Sequence, residues 1–315
     1  MGLIDRLLNT EEFKKNPPVL IDIGASGSIH KKWKKIAPYA TCIAFDADER
    51  DFDPGSSETS RYQKLLIRKS LVSDKPGQAA NFYLTASPHC SSLLEPDMDS
   101  LADWAYAPIF SVEKVVQLDT TDIPSTLAAF GITYIDWYKS DSQGIDLKLF
   151  KTIPDTVRDR ITIAEFEPGI LDAYQQEDKL NGMLAYHDQL KTFWLAELIV
   201  KGPLRIPNQQ LTEILPNKFL QKVLGKVGRT APGWTEMTYC NSFKNPATQT
   251  RRALMMGWIC ATLIKQHGFA YTLADKGIQE FGDPFFHEMK KKSARKLLTG
   301  FLSFRYLTLL FKKLF

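Results

Sequence analysis

Residues 19–48 read VLIDIGASGSIHKKWKKIAPYATCIAFDAD, and this stretch decides the fold. An apolar run (Val19, Leu20, Ile21, Ile23) gives way to a Gly/Ser-rich turn, Gly24-Ala25-Ser26-Gly27-Ser28. Ile29, Trp33 and Ile36 then recur at helical spacing, and a second apolar run, Ile43-Ala44-Phe45, ends in Asp46. Strand, tight turn, helix and parallel strand closing on a carboxylate is the pattern of a nucleoside-binding unit. Glycine at 24 allows a sharp turn and close approach of a ligand, a helix N-terminus attracts an anionic group, and an acid at 46 accepts both ribose hydroxyls. Asp46 follows Gly24 by 22 residues, near the roughly 20 expected between such a turn and its acid.

Asp22, two residues before Gly24, suits a ligand carrying an ammonium group better than a pyrophosphate. S-adenosylmethionine (SAM) is such a ligand. Further strands are expected at Leu65–Val72, Phe82–Thr85, Val112–Leu118, Ile132–Tyr138 and Ile161–Phe166. Helices are expected at Pro124–Phe130, closed by Gly131, and at about Ile145–Thr152. Alternation of this kind means an α/β fold: a doubly wound, mostly parallel, Rossmann-like sheet with helices on both faces. Ligands then sit over the carboxyl ends of its strands, where Gly24, Asp46, Asp141 and Glu167 all fall. Leu71 to Ser73, ending the third strand, are expected beside a base. Residues 199–245, rich in Pro, Gly and Asn, read as an insertion covering the site, with structural padding as the alternative. A long helix at about 248–267 and a short strand at Phe269–Leu273 follow, so 18–198 and 246–289 form the main domain behind an N-terminal helix within 1–17.

The chain has 315 residues, 44% hydrophobic and 24% charged, ordinary for a globular protein with a sizeable core. Its four cysteines are widely spaced and its five histidines show no metal-ligand spacing, which argues against a disulfide scaffold or a structural zinc site and fits a reducing, cytoplasmic setting. No secretory signal is legible at the N-terminus. Lys31, Lys32, Lys34 and Lys35 read as a solvated face rather than a nucleic-acid surface. The positive charge is concentrated in the tail. Residues 290–315 hold eight Lys or Arg and no acid, and removing those eight from the net +4 leaves residues 1–289 at −4.

Three blocks together resemble the FkbM-type SAM-dependent methyltransferases: DIGASGS with AFDAD (Asp22–Ser28, Phe45–Asp48); HCSSLLEPD with VVQLDTTDI (His89–Asp97, Val115–Ile123); and IDWYKSDSQGIDLKLFK with ITIAEFEPG (Ile135–Lys151, Ile161–Gly169). The chain departs from the family at Ser28, where a glycine is usual, and at Asp46 and Asp146, where glutamates are usual. The resemblance implies a class I methyltransferase fold and methyl transfer from SAM to a hydroxyl, often on a carbohydrate or glycoconjugate. It implies a cofactor site of Asp22, Gly24, Ser26, Gly27, Asp46, Ser73 and Ser92, with the loop around Ser91 and Ser92 closing over it.

Asp141 is expected as general base, acceptor-orienting group or cation ligand, with capping of the next helix as the alternative. Glu165 and Glu167 should face opposite sides of their strand, leaving Glu167 toward an acceptor hydroxyl. His89 is a candidate base in the loop. In the tail, apolar residues on one helical face flanked by cations suit an anionic membrane surface, which would place the protein on the inner face of the membrane with a lipid-linked or surface-glycan acceptor. Docking of the tail on the domain or on a second subunit is the alternative. A catalytically silent protein of the same fold, recruited through its basic tail, is the competing function.

Overall fold

The computed structural model describes residues 1–24, 30–45, 47, 50 and 61–301, with Gly300 and Phe301 described by backbone alone. The strands are β1 (Val19–Ile23), β2 (Thr41–Phe45), β3 (Lys64–Arg68), β4 (Leu71–Val72), β5 (Ala79–Thr85), β6 (Val112–Thr121), β7 (Trp137–Ser140), β8 (Ile163–Phe166), β9 (Phe193–Lys201) and β10 (Trp234–Asn241). The α-helices are α1 (Leu3–Leu8), α2 (Glu11–Lys15), α3 (Met98–Leu101), α4 (Ile123–Ala129), α5 (Asp146–Thr152), α6 (Asp155–Arg158), α7 (Leu180–Leu190), α8 (Asn208–Ile214), α9 (Lys218–Val227), α10 (Arg251–Leu263), α11 (His267–Phe281) and α12 (Pro284–Phe301).

Seven strands form the main sheet in the order β3-β2-β1-β7-β8-β10-β9. All pairs are parallel except those of β10, which runs antiparallel to both neighbours. Parallel strands covered on both faces need continuous apolar sequence, and β1 and β2 are buried at every position. On one face Leu20, Cys42, Trp137 and Ile163 meet α1 and the α10–α12 layer; on the other Ile21, Ile43, Tyr138 and Ala164 meet α4, α5 and α7. The fold is the doubly wound α/β, Rossmann-like one expected. The chain enters at β1, winds outward to β3, then returns to β7 on the opposite side, so the topological switch point lies between β1 and β7. A small second sheet, β4-β6-β5, stands beside it.

Several elements differ from expectation. The first crossover holds two 3₁₀ turns, Lys31–Trp33 and Ala37–Tyr39, where a helix was expected; Trp33 and Ile36 are still buried. The strand expected over 65–72 divides between the two sheets, β3 in one and β4 in the other. Ile132–Ile135 is irregular and β7 starts only at Trp137. The stretch 199–245 is only partly an insertion, since β10 and the end of β9 belong to the main sheet. Phe269–Leu273, expected as a strand, lies within α11, where Ala270 and Leu273 face the core. Position 290 falls inside α12, whose Phe286, Met289 and Ser293 are buried on the domain. The rest of the expected tail, 302–315, lies outside the described residues.

Candidate functional site

Strand register lays a row of polar side chains across the sheet. Asp22 pairs with Lys139, Lys139 with Glu165, and Glu165 with Thr238. Partners in register share a face, so the charges alternate along the row and neutralise one another. Lys139 Nζ is 2.9 Å from Asp22 Oδ1. Burial disfavours the Lys139 ammonium, but Asp22 and Asp141 outweigh it and keep the group charged. Glu165 accepts from Trp137 Nε1 at 2.9 Å and pairs with Lys32. Lys32 therefore turns inward, against the expectation of a wholly solvated lysine face.

The loop after β7 is held from both sides. Asp141 N donates to Ile23 O at 3.1 Å, and Gly24 N donates to Phe45 O at 3.0 Å. Gly24 has φ +75°, and a Cβ there would lie 2.3 Å from Asp141 O. Only glycine lets these two strand ends approach so closely. Buried Asp146 ties β7 to β8: its carboxylate accepts from Ser140 Oγ at 2.7 Å, Ser142 N at 2.9 Å and Glu167 N at 2.7 Å. The first turn of α5 is capped instead by Asp178, which accepts from Leu147 N and Lys148 N. That leaves the Asp141 carboxylate to the cleft, where Gln143 Nε2 donates to it at 2.6 Å.

The cleft over the switch point has three lobes. The first is an apolar slot walled by Phe45, Leu71, Val72, Phe82 and Ile145 beside Gly24. The second is polar, with Asp22, His30, Lys32, Lys139, Glu165 and Glu167. The third is aromatic, with Tyr106, Phe110, Tyr174 and Trp234 beside Glu167 and Glu177; the Tyr106 and Trp234 rings lie 9° from parallel with centroids 6.3 Å apart. Asp141 and His89 border all three. Burial pushes Asp141 up to about 6 against the pull of Lys139. It pushes Glu167 up to about 9, and the charge on Asp141 adds to that shift.

Of the residues expected from sequence, Asp22, Gly24, His89, Asp141 and Glu167 meet here. Asp22 already has Lys139 as its counter-ion. Glu165 and Glu167 both reach the polar lobe, against the expectation of opposite sides: they stand two residues apart, and residues two apart along a strand share a face. Ser92 is buried where its loop meets the loop after β7: its hydroxyl donates to Gln143 O at 2.7 Å and accepts from Leu94 N. Ser91 is the one of the pair that borders the slot. Ser73 closes a turn, its Oγ accepting from Lys75 N at 3.1 Å, while Leu71 and Val72 supply the wall. Ser26, Gly27 and Asp46 lie outside the described residues.

The sequence reading assigned no site role to Lys139, Lys32, Gln143, Phe82 or the Tyr106–Trp234 pair. Lys139 and Gln143 had a legible signal, standing two places before and two places after Asp141 in the third resembling block. Among the described residues no group of three or more His, Cys, Asp or Glu is placed to hold a metal ion. Comparison with known protein families, curated proteins and solved structures finds no match for this chain.

Proposed function

We propose that this chain is a SAM-dependent O-methyltransferase acting on a hydroxyl of a carbohydrate or glycoconjugate. One observation carries the reading: a single cleft at the switch point joins an apolar slot to a carboxylate-rich lobe through Gly24 and Asp141. The residues present fit the cofactor. The slot accepts a flat purine, the glycine cradle at 24 would be filled by any Cβ, and the Asp141 carboxylate beside it, left to the cleft, favours a cation. When bound, the sulfonium supplies a methyl group already activated for displacement. A nicotinamide reading is weaker, because the sheet departs from the six-stranded dinucleotide order by a reversed strand and Gly24 begins no glycine triplet.

The chain's own task is alignment and proton removal. Asp141, bordering every lobe, accepts the proton of an acceptor hydroxyl; a carboxyl pushed up to about 6 is a stronger base than an ordinary aspartate and still mostly ionised near neutrality. Glu167, held protonated, donates a hydrogen bond to a second acceptor oxygen. The aromatic lobe offers Tyr106 and Trp234 faces to the apolar side of a sugar ring. His89 stands exposed at the entrance, where it orders the acceptor.

Calorimetric titration with S-adenosylhomocysteine, run beside NAD⁺, tests this. Micromolar binding of the first alone is the expected result. No binding of it by the intact protein sinks methyl transfer as the activity, and NAD⁺ binding replaces it with redox chemistry.

A further inference from the structure

The connection between β9 and β10 carries a helix whose apolar side covers nothing among the described residues. α9 begins at Asn217, whose side chain accepts from Phe219 N at 2.9 Å and Leu220 N at 3.2 Å, so the sequence specifies a helix start there. Yet none of its residues is buried. Phe219 is 71% exposed, Val227 78% and Leu220 45%, with Val223 and Leu224 also open to solvent. Positions 219, 220, 223, 224 and 227 share one helical face, and Lys218, Lys222 and Lys226 run along its border at every fourth residue. A ten-residue helix with glycine at 225 and no packed face is marginal in water. Apolar exposure of this extent marks a surface awaiting a partner.

Charge identifies the partner. From Ile214 to Thr235 the chain carries Lys218, Lys222, Lys226 and Arg229 and no acid. Two copies of this face would bring like charges together, whereas an anionic surface matches both the cations and the apolar wedge. Lysines bordering such a face reach outward to headgroups while their stems lie on the apolar side. Among the described residues no helix is long and apolar enough to cross a membrane, so this contact lies along a bilayer surface.

Its place in the fold adds a consequence. β9 runs with the parallel strands and β10 against them, so the connection leaves and returns at the carboxyl edge, over which the cleft opens. It returns at Trp234, which walls the aromatic lobe.

We propose that α9 is an interfacial anchor that seats the cleft edge of the molecule on an anionic lipid bilayer. The proposal stands apart from the basic C-terminal tail and does not require methyl transfer.

The test uses the full chain with vesicles of phosphatidylcholine, with and without phosphatidylglycerol. The wild type should sediment with the anionic vesicles. Leu220→Glu/Leu224→Glu, both at exposed positions, should keep the wild-type melting temperature and lose roughly tenfold or more of that binding. Because all four native cysteines are buried, an environment-sensitive dye on Val223→Cys reports α9 selectively and should shift to the blue on anionic vesicles only. Absence of vesicle binding by the wild type, or equal binding by the double variant, overturns the proposal. So does a wild-type dimer in solution that the double variant splits, since the occupant is then a second copy.

Discussion

Glu167 sits where its charge is disfavoured, at the end of β8 with Asp141 beside it, and its carboxyl is pushed from the usual 4.5 up to about 9. The folded chain therefore binds more protons than the unfolded chain between those values. Stability falls as pH climbs through that window and levels off above it. Glu167→Gln removes this penalty. The variant should melt at the same temperature as the wild type at about pH 4 and at a higher one at about pH 8. Parallel melting profiles for the two across the range count against a protonated Glu167. The residue was legible in sequence because an acid directly after an apolar strand falls on the ligand edge of such a sheet. The same logic found Asp141, while Asp22 and Gly24 were legible from the Gly/Ser-rich turn that ends β1. It could not find Lys32, whose neighbours Lys31, Lys34 and Lys35 do face solvent; one inward lysine among four is decided by where Glu165 lies, 133 residues away. Nor could it tell Ser91 from Ser92, adjacent residues of one type, of which Ser92 is taken up in tying its loop to Gln143 in the loop after β7.

At the scale of elements, α10 holds the start of β1 through a buried ion pair. Asp136 accepts from Val19 N at 3.0 Å and takes a two-pronged contact from Arg252 at 2.8 and 2.9 Å. Arg252 also lies 4.8 Å over the Tyr134 ring and 5.1 Å over that of Phe13. Arg252→Ala leaves the Asp136 carboxylate buried with a lone amide donor. The expected loss is about 3–5 kcal/mol of folding free energy, read as an earlier midpoint in urea; a loss below about 1 kcal/mol would mean the pair acts like an exposed one. Elements with a strong local signal were read well: β1, β2, α4 with its Gly131, and α5. The misreadings share a cause. Apolar periodicity at 29–36 and at 269–273 is ambiguous over so short a span, and packing settled it, as 3₁₀ turns in one case and as part of α11 in the other. β10 was hidden because its sequence, WTEMTYCN, mixes polar and apolar residues without a clean alternation and follows a Pro- and Gly-rich approach with the character of a loop.

Across the whole molecule the two faces of the sheet divide the work. The cleft opens over the carboxyl edge, while α10, α11 and α12 pack as a separate layer on one face. Phe286 of α12 is fully buried, and its ring lies so near Gly277 of α11 that a Cβ there would come within 2.2 Å. Neither residue borders a lobe of the cleft. Phe286→Ala should therefore cost about 3–5 kcal/mol of stability through the cavity it leaves, yet retain wild-type affinity for S-adenosylhomocysteine at temperatures where it is folded. Gly24→Ala should behave oppositely in kind. Its strain, of about 1–3 kcal/mol, is confined to the point where β1 and β7 diverge, and the forced shift of Asp141 closes the passage between slot and polar lobe. Its loss of affinity should then exceed roughly tenfold while it stays folded at room temperature. Measured together by thermal unfolding and titration, the pair separates a scaffold from a site. Equal loss of affinity in both would mean that the helical layer and the cleft move as one unit, and that the edge is shaped by the whole sheet rather than by the meeting of two strands.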